Sequence, residues 1–312
     1  MQQLKVCFIG IGSIAKRHIK NLKAICSKRS IELHMDAYRH ISGNLVSVEG
    51  VENVYHDIAQ LPDTYDIIFI TNPTELHLET LKQFHNKGKH FFIEKPVVSQ
   101  SQIEIAKQVV LKSDCVYYVA CPLRYNAVIQ YIKNNIEPND VISVRSISSS
   151  YLPDWRPGKD YRDTYSAHKN LGGGVSIDLI HEWDYLTYLF GWPEQIKCFV
   201  GKKSNLEIDS DDYAIYIAEF ENQIAELHLD YFGRKTIREI QLFTKDETIV
   251  GDIANNKITF LTSGKVIAFN EERDDYQKRE LEHFLDMIQG KDTVENGYDH
   301  GLKVLELTQG IL

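Results

Sequence analysis

A lysine stands where it could handle a proton. Glu94-Lys95-Pro96 directly follows a short apolar run, and Thr71-Asn72-Pro73 follows another. If both runs are parallel strands, they end at the edge where open α/β sheets bind ligands. Lys95 could there hydrogen-bond a hydroxyl or carbonyl group and help to move its proton. Taken alone, it would be interpreted as an ordinary surface lysine.

A histidine between two carboxylates is a second candidate for proton transfer. Asp178, His181 and Asp184 recur every three residues after Gly172-Gly173-Gly174, and on a helix this spacing places them along one edge. A neighbouring carboxylate would fix the tautomer of His181 and suit it to acid–base work. The structural alternatives are a helix cap for Asp178, a core position for His181 and a helix partner for Asp184. No further ligands at matching spacing indicate a metal site.

Gly10–Ala15 has the G-x-G-x-x-G/A pattern of a dinucleotide-binding turn, between an apolar run and a helical pattern. The first glycine allows a tight turn, and the second lets the backbone approach a pyrophosphate. The following helix N-terminus favours an anion. We therefore predict NAD or NADP binding at this turn, the alternative being an ordinary glycine turn.

The end of the second apolar run bears on the choice between these cofactors. NAD-preferring sites usually carry Asp or Glu there, against the ribose hydroxyls. Asp36 is near, but the predicted strand ends at Tyr38, which Arg39 and then Ser42 follow. Arg39 could pair with a 2′-phosphate, which favours NADP over NAD. In the opposite interpretation Asp36 is the ribose ligand and Arg39 is solvated.

Two successive arrangements of predicted strands and helices must position these residues. Up to residue 120, predicted strands (4–9, 31–38, 66–71, 90–94, 116–120) alternate with predicted helices (13–25, 75–87, 103–111), with Gly88 as a helix stop. This alternation favours a parallel, doubly wound sheet. After a boundary near residue 121 we predict a helix over 125–134, a strand over 141–151 and one helix from the triple glycine to about 189. Neighbouring strands follow from 196 to 269, with a hairpin around 221–223, which suggests an antiparallel sheet, and helices over 276–289 and 302–307 close the chain.

Composition excludes several protein classes. The 312 residues suggest about two domains. With 35 basic and 44 acidic residues the net charge is −9, which disfavours nucleic-acid binding. No apolar stretch is long enough for a membrane span, and the N-terminus lacks a signal-peptide pattern. The five cysteines predict neither a disulfide framework nor a zinc site; Cys7 and Cys121 are expected to be buried, and the compartment to be the cytoplasm.

Four motifs in order resemble the Gfo/Idh/MocA oxidoreductase family: GIGSIAKRH at Gly10–His18, EKP at Glu94–Pro96, LRYN at Leu123–Asn126 and GGG…D..H..D at Gly172–Asp184. The resemblance covers nearly the whole chain. It implies an N-terminal Rossmann dinucleotide-binding domain (residues 1–121) and a C-terminal α/β domain with an open, mostly antiparallel sheet (residues 122–312). It also implies hydride transfer between NAD(P) and a carbohydrate or related polyol.

The resemblance further implies that Lys95, His181 and Asp178 are catalytic. Many members space that Asp and His four residues apart, whereas three separate them here, so that the usual Asp position falls on Ile177. The HEWD variant is similar to a subgroup that often accompanies bacterial surface-sugar biosynthesis genes. The expected cofactor-binding residues are Gly10, Gly12, Ser13, Ile14, Tyr38, Arg39, Ser42, Thr71, Asn72, Pro73, His77, Glu94 and Lys95.

The loop before the triple glycine is rich in aromatic and basic residues. Aromatic faces stack on sugar rings, and Arg or Lys can hold a phosphate or carboxylate. This favours an anionic sugar as substrate, such as a nucleotide sugar or a sugar acid; alternatively the loop is structural or forms a subunit contact. The expected substrate-binding residues are Arg124, Tyr125, Tyr151, Trp155, Arg156, Asp178 and His181.

The favoured function is an NAD(P)-dependent dehydrogenase or reductase that acts on CH–OH groups of a sugar derivative, with Lys95 as acid/base. One alternative is a non-catalytic NADP(H)- and sugar-binding regulator, which would need neither Lys95 nor His181. Another is a reductase of a non-sugar ligand such as a linear tetrapyrrole, which the polar loop disfavours. An open sheet with one exposed face needs a cover, so we expect a homodimer or homotetramer through that sheet.

Overall fold

The computed structural model describes residues 2–39 and 48–312. The chain forms two compact units, the first of Met1–Ala120 with Gln277–Leu302, the second of Cys121–Tyr276 with Lys303–Leu312. The boundary predicted near residue 121 coincides with the first passage between units. The prediction of one continuous second domain missed that Gln277–Leu302 belongs to the first unit.

The first unit contains a six-stranded parallel sheet with the order β3-β2-β1-β4-β5-β6. Its strands are β1 (Gln2–Ile9), β2 (Ile31–Tyr38), β3 (Asn53–Tyr55), β4 (Tyr65–Ile70), β5 (Gly88–Ile93) and β6 (Tyr117–Val119). Its first helices are α1 (Ser13–Lys28), α2 (His77–Phe84) and α3 (Ile103–Ala106). The strand order puts the ends of β1, β4 and β5 side by side, as a Rossmann fold requires.

The second unit contains an eight-stranded sheet with the order β14-β13-β12-β11-β7-β10-β9-β8. Its strands are β7 (Val141–Tyr151), β8 (Gln195–Gly201), β9 (Tyr213–Glu219), β10 (Ile224–Asp230), β11 (Phe232–Thr244), β12 (Thr248–Asp252), β13 (Lys257–Phe260) and β14 (Val266–Ala268). Its helices are α4 (Ala127–Asn135), α5 (Val175–Asp178) and α6 (His181–Phe190), and the chain closes with α7 (Arg273–Ile288) and α8 (Tyr298–Leu307). Among these described strands β7 and β10 pair in parallel, and the other pairs are antiparallel.

Buried apolar side chains explain why residues after Gln277 belong to the first unit. Phe8, Phe69 and Phe92 from three neighbouring strands stack on one another with ring centroids 4.5 and 4.8 Å apart. Phe284 of α7 packs edge-on against Phe69 and Phe92, and Leu281 joins the same core. Burying these side chains removes apolar surface from water, which is the dominant favourable contribution to folding.

Three predicted elements differ from the structure. Gly88 is not a helix stop but the first residue of β5, where a Cβ would lie 2.9 Å from the Ile68 side chain. The helix predicted over 103–111 ends at Ala106, because the residues beyond it offer no buried face and Val110 is strongly exposed. The helix predicted through 178–189 is broken at Leu179, whose backbone leaves the helical region.

One face of the second sheet is exposed at strands β8, β9 and β10. Ala214, Tyr216 and Ala218 alternate inward and are buried, while Ile215 and Ile217 point to the opposite face. Phe199 on β8 is paired with Ile215 and is 74% exposed. An apolar strip therefore runs over this open face.

Candidate active site

The glycine-rich turn fits a dinucleotide pyrophosphate. Gly10 has φ +86°, and a Cβ there would lie 2.8 Å from the Cα of Asn72, so only glycine allows this close turn. A Cβ on Gly12, the residue before α1, would meet no described atom within 4 Å. Ser13 and Gly12 are exposed at this helix start. The free N–H groups of the first helical turn therefore face open space, which suits an anion.

The end of β2 lies as the sequence predicts. Tyr38 is the last strand residue, its carbonyl accepts the Gly10 N–H at 3.1 Å, and its ring packs edge-on against Phe84. The backbone of Tyr38 thus holds the glycine-rich turn in place through this hydrogen bond to Gly10.

Asp36 is already engaged within the fold. Its Oδ2 accepts from the Tyr65 hydroxyl and its Oδ1 from Asn53 Nδ2, both at 2.9 Å. Arg39 follows the strand and is exposed. Asp36 thus joins the end of β2 to Asn53 of β3 and Tyr65 of β4, whereas Arg39 is open to solvent. The predicted contact at Ser42 lies outside the described residues.

The residues after β4 hold the turn in place. The Thr71 hydroxyl donates to the carbonyls of Ile9 (3.1 Å) and Gly10 (2.8 Å), and Asn72 Nδ2 donates to Thr80 Oγ1 at 2.8 Å. Pro73 is exposed and remains a candidate for cofactor contact. These contacts fix the side chains of Thr71 and Asn72, whose contact with a cofactor stays a prediction.

His77 was predicted to contact the cofactor, and its surroundings argue against that role. The side chain is 1% exposed. Nδ1 lies 3.0 Å from the carbonyl oxygen of Pro96, and Nε2 lies 2.9 Å from that of Asn72. Because both ring nitrogens face backbone carbonyls of the protein, the imidazole has no free position for a ligand.

Glu94 and Lys95 directly follow β5. Glu94 Oε1 lies 2.6 Å from Nε2 of His18, a residue of α1. Burial alone would raise the pKa of Glu94, but the hydrogen bond with His18 and the charges of His18 and Lys95 lower it below the ordinary value. Lys95 is half-buried, and its peptide bond to Pro96 is cis. Lys95 therefore follows the end of β5, the strand next to β4 in the same sheet as β1.

Three side chains of the HEWD segment belong to the interior of the second unit. Asp184 forms two hydrogen bonds with the Arg124 guanidinium, each 2.7 Å, and the two side chains are 1% and 5% exposed. Glu182 pairs with Arg238 at 2.6 Å, and Trp183 is fully buried. Asp184 is therefore an ion-pair partner of the Pro122–Tyr125 turn, and the same pair engages the Arg124 guanidinium that the sequence predicts as a substrate ligand.

His181 is the half-buried member of that segment and is the first residue of α6. Because of the break at Leu179, it does not share a helix with Asp178. The argument that one helix edge aligns the two side chains is therefore wrong. Tyr125, another predicted substrate residue, is half-buried at the end of a short 3₁₀ turn over Pro122–Tyr125.

Asp178 lies in a buried cluster of tyrosines. Its Oδ2 accepts from the Tyr231 hydroxyl at 2.6 Å, and its side chain is buried. Its charge and hydrogen bond, together with burial, raise the pKa of Tyr165. Asp178 is the last residue of α5, and two residues separate it from the start of α6.

Asp211 is a site-adjacent residue that sequence reasoning missed. Its Oδ2 accepts from Ser176 N–H at 2.9 Å, and a Cβ on Gly174 would lie 2.2 Å from its Oδ1. Burial raises the pKa of Asp211, and the nearby Asp178 carboxylate adds to this. Only the requirement for glycine at position 174 gives a sequence signal, and it does not identify the partner.

The aromatic and basic loop forms a recess within the second unit. Its lining comprises Leu152, Pro153, Trp155, Arg156, Lys159, Tyr161, Thr164 and Ser166. The Arg156 guanidinium lies 5.3 Å from the Tyr165 ring centroid, and Trp155 packs edge-on against Tyr231. Two predicted substrate residues, Trp155 and Arg156, are therefore brought next to the partners of Asp178.

Tyr151 is covered by a cation that the sequence did not single out. The Arg234 guanidinium lies 3.8 Å from its ring centroid. The register between β7 and β11 shifts between Phe232 and Ile237, so extra residues of β11 bulge out at this point. A bulge inside a strand has no short-range signal in this sequence, which explains why Arg234 was missed.

Neither a membrane helix nor a metal cluster is found in the described part of the chain. None of its helices is long and apolar enough to cross a bilayer. Within residues 2–39 and 48–312, no group of three or more His, Cys, Asp or Glu side chains is placed to hold an ion.

The similar proteins reported below are all named as oxidoreductases or dehydrogenases. The chain is 27% identical over 200 residues to the uncharacterized oxidoreductase YrbE of Bacillus subtilis, covering 61% of this chain and 54% of that protein. It spans about half the length of this and two further curated relatives. Levoglucosan dehydrogenase in complex with NADH and levoglucosan has the same fold, with a TM-score of 0.84 at 18% identity over 99% of this chain and 96% of that one. The WlbA dehydrogenase from Bordetella pertussis, in complex with NADH and UDP-GlcNAcA, gives 0.78 at 18% identity over 99% and 95%.

Two family models match separate parts of the chain. Residues 4–121 match the oxidoreductase family with an NAD-binding Rossmann fold, and residues 129–248 match the GFO/IDH/MocA C-terminal domain. Together they cover more than half of the chain, including the parallel sheet of the first unit and strands β7 to β11 of the second. The chain therefore belongs to the Gfo/Idh/MocA family.

Proposed function

We propose that this protein is an NAD(P)-dependent oxidoreductase that transfers a hydride to or from a CH–OH carbon of a sugar derivative. The observation that carries the proposal is the open helix start at Gly12 next to strand ends that present Lys95. The similar proteins named as levoglucosan dehydrogenase and WlbA dehydrogenase, each with NADH and a sugar ligand, support it. Bound NAD(P) would accept or donate the hydride at its nicotinamide ring.

Lys95 is proposed to be the acid/base. When a hydroxyl is oxidised, the amine takes the hydroxyl proton as the hydride leaves the carbon; in the reverse direction the ammonium returns that proton to the forming alkoxide. The pairing of Glu94 with His18 leaves a carboxylate beside Lys95 that stays anionic, because its pKa is lowered.

The second unit is proposed to bind and orient the sugar. His181 would anchor a hydroxyl or act as a further acid/base, which its half-buried position at the start of α6 permits. Asp178 is too buried and too fully engaged with Tyr231 to move protons freely. We assign it the role of ordering the buried Tyr231 and its neighbour Tyr165, which is 42% exposed and whose ring would contact the sugar.

The substrate is proposed to be an anionic sugar, such as a nucleotide sugar or a sugar acid of surface polysaccharide biosynthesis. Arg156 and Lys159 lie on the loop of the second unit close to the aromatic rings of Trp155 and Tyr161. Rings of this kind stack on a pyranose, and Arg can hold a phosphate or carboxylate through two hydrogen bonds. The cations stand out in a chain whose net charge is −9.

The cofactor preference and the assembly belong to the same proposal. Arg39 after β2, with Asp36 engaged by Tyr65 and Asn53, supports NADP over NAD, although the two similar structures contain NADH. The apolar strip of the open sheet face supports a homodimer or homotetramer.

The first test is a titration of the purified protein with NADH and with NADPH, followed by turnover with sugar nucleotides, sugar acids and neutral polyols. We expect tighter binding of NADPH, and loss of that preference in Arg39→Ala. Binding of neither nucleotide would overturn the proposal.

Lys95→Ala should lower kcat by a factor of about 10² to 10⁴ while leaving the nucleotide dissociation constant nearly unchanged. The matched control is Lys89→Ala on the same strand, because Lys89 pairs with Asp66 at the surface (2.7 Å). Near-normal kcat in Lys95→Ala would show that another residue is the acid/base.

A further inference from the structure

We propose that His77 is a positioning residue that fixes Lys95 relative to the glycine-rich turn. The inference rests on the proposed role of Lys95 and gives His77, first expected as a cofactor ligand, a different role that the mechanism above does not include. It starts from a single imidazole that contacts two loops of the first unit.

His77 is the first residue of α2 and is enclosed by protein. Its Nδ1 faces the carbonyl of Pro96 at 3.0 Å, and its Nε2 faces the carbonyl of Asn72 at 2.9 Å. Pro96 directly follows Lys95 after β5, whereas Asn72 follows β4. The ring therefore spans the gap between two neighbouring strand ends.

The Asn72 loop is in turn attached to the glycine-rich turn. A Cβ added to Gly10 would lie only 2.8 Å from the Cα of Asn72, so the two backbones are in direct contact. The Thr71 hydroxyl also donates to the Gly10 carbonyl at 2.8 Å. A continuous series of contacts thus runs from Gly10 through Asn72 and His77 to the backbone beside Lys95.

This arrangement sets how far Lys95 lies from the turn that is proposed to bind the pyrophosphate. Hydride and proton transfer require reacting atoms at near-contact distance, and a displacement of about 1 Å can lower the rate by about 10². A side chain that holds the loop of Lys95 at a fixed distance therefore acts on kcat without touching substrate or cofactor.

The imidazole cannot donate to both carbonyls at neutral pH. Burial lowers the pKa of His77, so that the ring is neutral and carries one N–H. In the proposed arrangement this N–H is on Nδ1 and donates to the Pro96 carbonyl, while Nε2 only lies close to the Asn72 carbonyl. The two contacts can be separated by substitution, because the amide nitrogen of asparagine reaches the place of Nδ1 and that of glutamine the place of Nε2. His77→Asn keeps a donor for Pro96, and His77→Gln keeps one for Asn72.

The experiment compares these two variants with wild type and with His85→Gln, a control at the end of the same helix. We expect kcat to fall about 30- to 100-fold in His77→Gln, with KM and the NADH dissociation constant within twofold of wild type. His77→Asn should keep kcat within about threefold. Equal kcat values in the Asn and Gln variants, or a loss that resides in KM or in NADH binding, would overturn the proposal.

Native-state hydrogen exchange provides a readout that needs no substrate. Amides of residues 94–99 should exchange at least about tenfold faster in His77→Gln than in wild type, and at the wild-type rate in His77→Asn. Unchanged exchange in His77→Gln would contradict the role of the Pro96 contact. If the wild-type protein turns over no sugar, the proposed function fails, whereas the exchange result still decides whether His77 holds this loop.

Discussion

Nε2 of His18 lies 2.6 Å from Oε1 of Glu94, and the histidine side chain is 1% exposed. His18 belongs to α1, the helix that starts at the glycine-rich turn, and its ring packs edge-on against Phe92. Glu94 is therefore attached to the helix that is proposed to face the cofactor. With His77 on the carbonyl of Pro96, the residues on both sides of Lys95 each contact a buried histidine.

The His18–Glu94 pair predicts a stability change that depends on pH. The pKa of Glu94 is lowered in the folded protein, so ionisation stabilises the fold above the pKa of the unfolded chain, about 4.3. This stabilisation is lost as the pH falls through the folded-state pKa. At pH 7, Glu94→Gln should lower the free energy of unfolding by about 1–3 kcal/mol, and the difference should shrink towards zero below about pH 4. Urea denaturation at a series of pH values measures both.

The control for this pH series is Glu104→Gln. Glu104 pairs with Lys107 at the surface (3.0 Å), with 82% of its side chain exposed. Such a pair contributes about 0–1 kcal/mol, so its removal should leave the denaturation midpoints almost unchanged. A Glu94→Gln difference that stays constant from pH 8 to pH 3 would show that the ionised carboxylate is not what stabilises the contact.

The two glycines of the turn should respond to substitution in opposite ways. In Gly12→Ala the backbone (φ −89°, ψ −170°) suits alanine and the added Cβ meets no described atom, so the melting temperature should stay near that of wild type. The methyl group would lie where the pyrophosphate is expected to approach, and the NADH dissociation constant should rise at least about tenfold, or 1.4 kcal/mol. Nucleotide titration and thermal unfolding of one preparation give both values.

Gly10→Ala is the complementary variant. Its φ of +86° and the 2.8 Å approach to Asn72 make an alanine strained, and we expect a loss of about 1–3 kcal/mol of stability. If Gly12→Ala bound NADH as tightly as wild type, the pyrophosphate would have to bind elsewhere. If Gly10→Ala were as stable as wild type, the contact with Asn72 would not constrain the turn.

The framework was largely readable from the sequence, because apolar periodicity and length define strands. The strands at Ile31–Tyr38 and Val141–Tyr151 have the bounds that the pattern predicts, and Cys7 and Cys121 are buried as expected. The placement of Lys95 at a strand end followed from the rule that parallel strands share one ligand-binding edge. These features depend on local pattern or on general topology.

What the sequence did not reveal depends on pairs distant along the chain. Arg124 and Asp184 are 60 positions apart, and Asp178 and Tyr231 are 53 apart. No spacing rule connects such residues. The break at Leu179 also has no glycine or proline to mark it in the sequence. The sequence therefore indicated the chemical groups but not their partners.

The Arg124–Asp184 pair predicts a large cost for removing one partner. Both side chains are nearly fully buried and are joined by two hydrogen bonds. Asp184→Asn or Arg124→Leu leaves a buried charge without its partner, which typically costs about 3–5 kcal/mol. The double variant should be less destabilised than the sum of the two single variants, which urea denaturation measures as a coupling free energy.

A surface ion pair of the same unit is the control for this comparison of single and double variants. Arg162 and Asp160 are joined at 2.6 Å, but both are well exposed. Their cycle should give a coupling of less than about 1 kcal/mol. A coupling near zero for Arg124 and Asp184 would mean that the guanidinium is available for a substrate anion, as the sequence first indicated.

The open face of the second sheet predicts that the protein self-associates. Phe199 of β8 is 74% exposed and Ile217 of β9 is 50% exposed, on adjacent strands, and the opposite face of β9 is buried. Covering these side chains would contribute about 25 cal/mol for each Å² of apolar surface removed from water. We expect the wild type to sediment as a dimer or tetramer at micromolar concentration, and Phe199→Glu with Ile217→Glu to sediment as a monomer that still binds NADH. Val110→Glu, a charge placed on an exposed valine of the first unit, should leave the assembly intact. A wild-type monomer at that concentration would refute the interface, and an intact assembly of the double variant would place it on another surface.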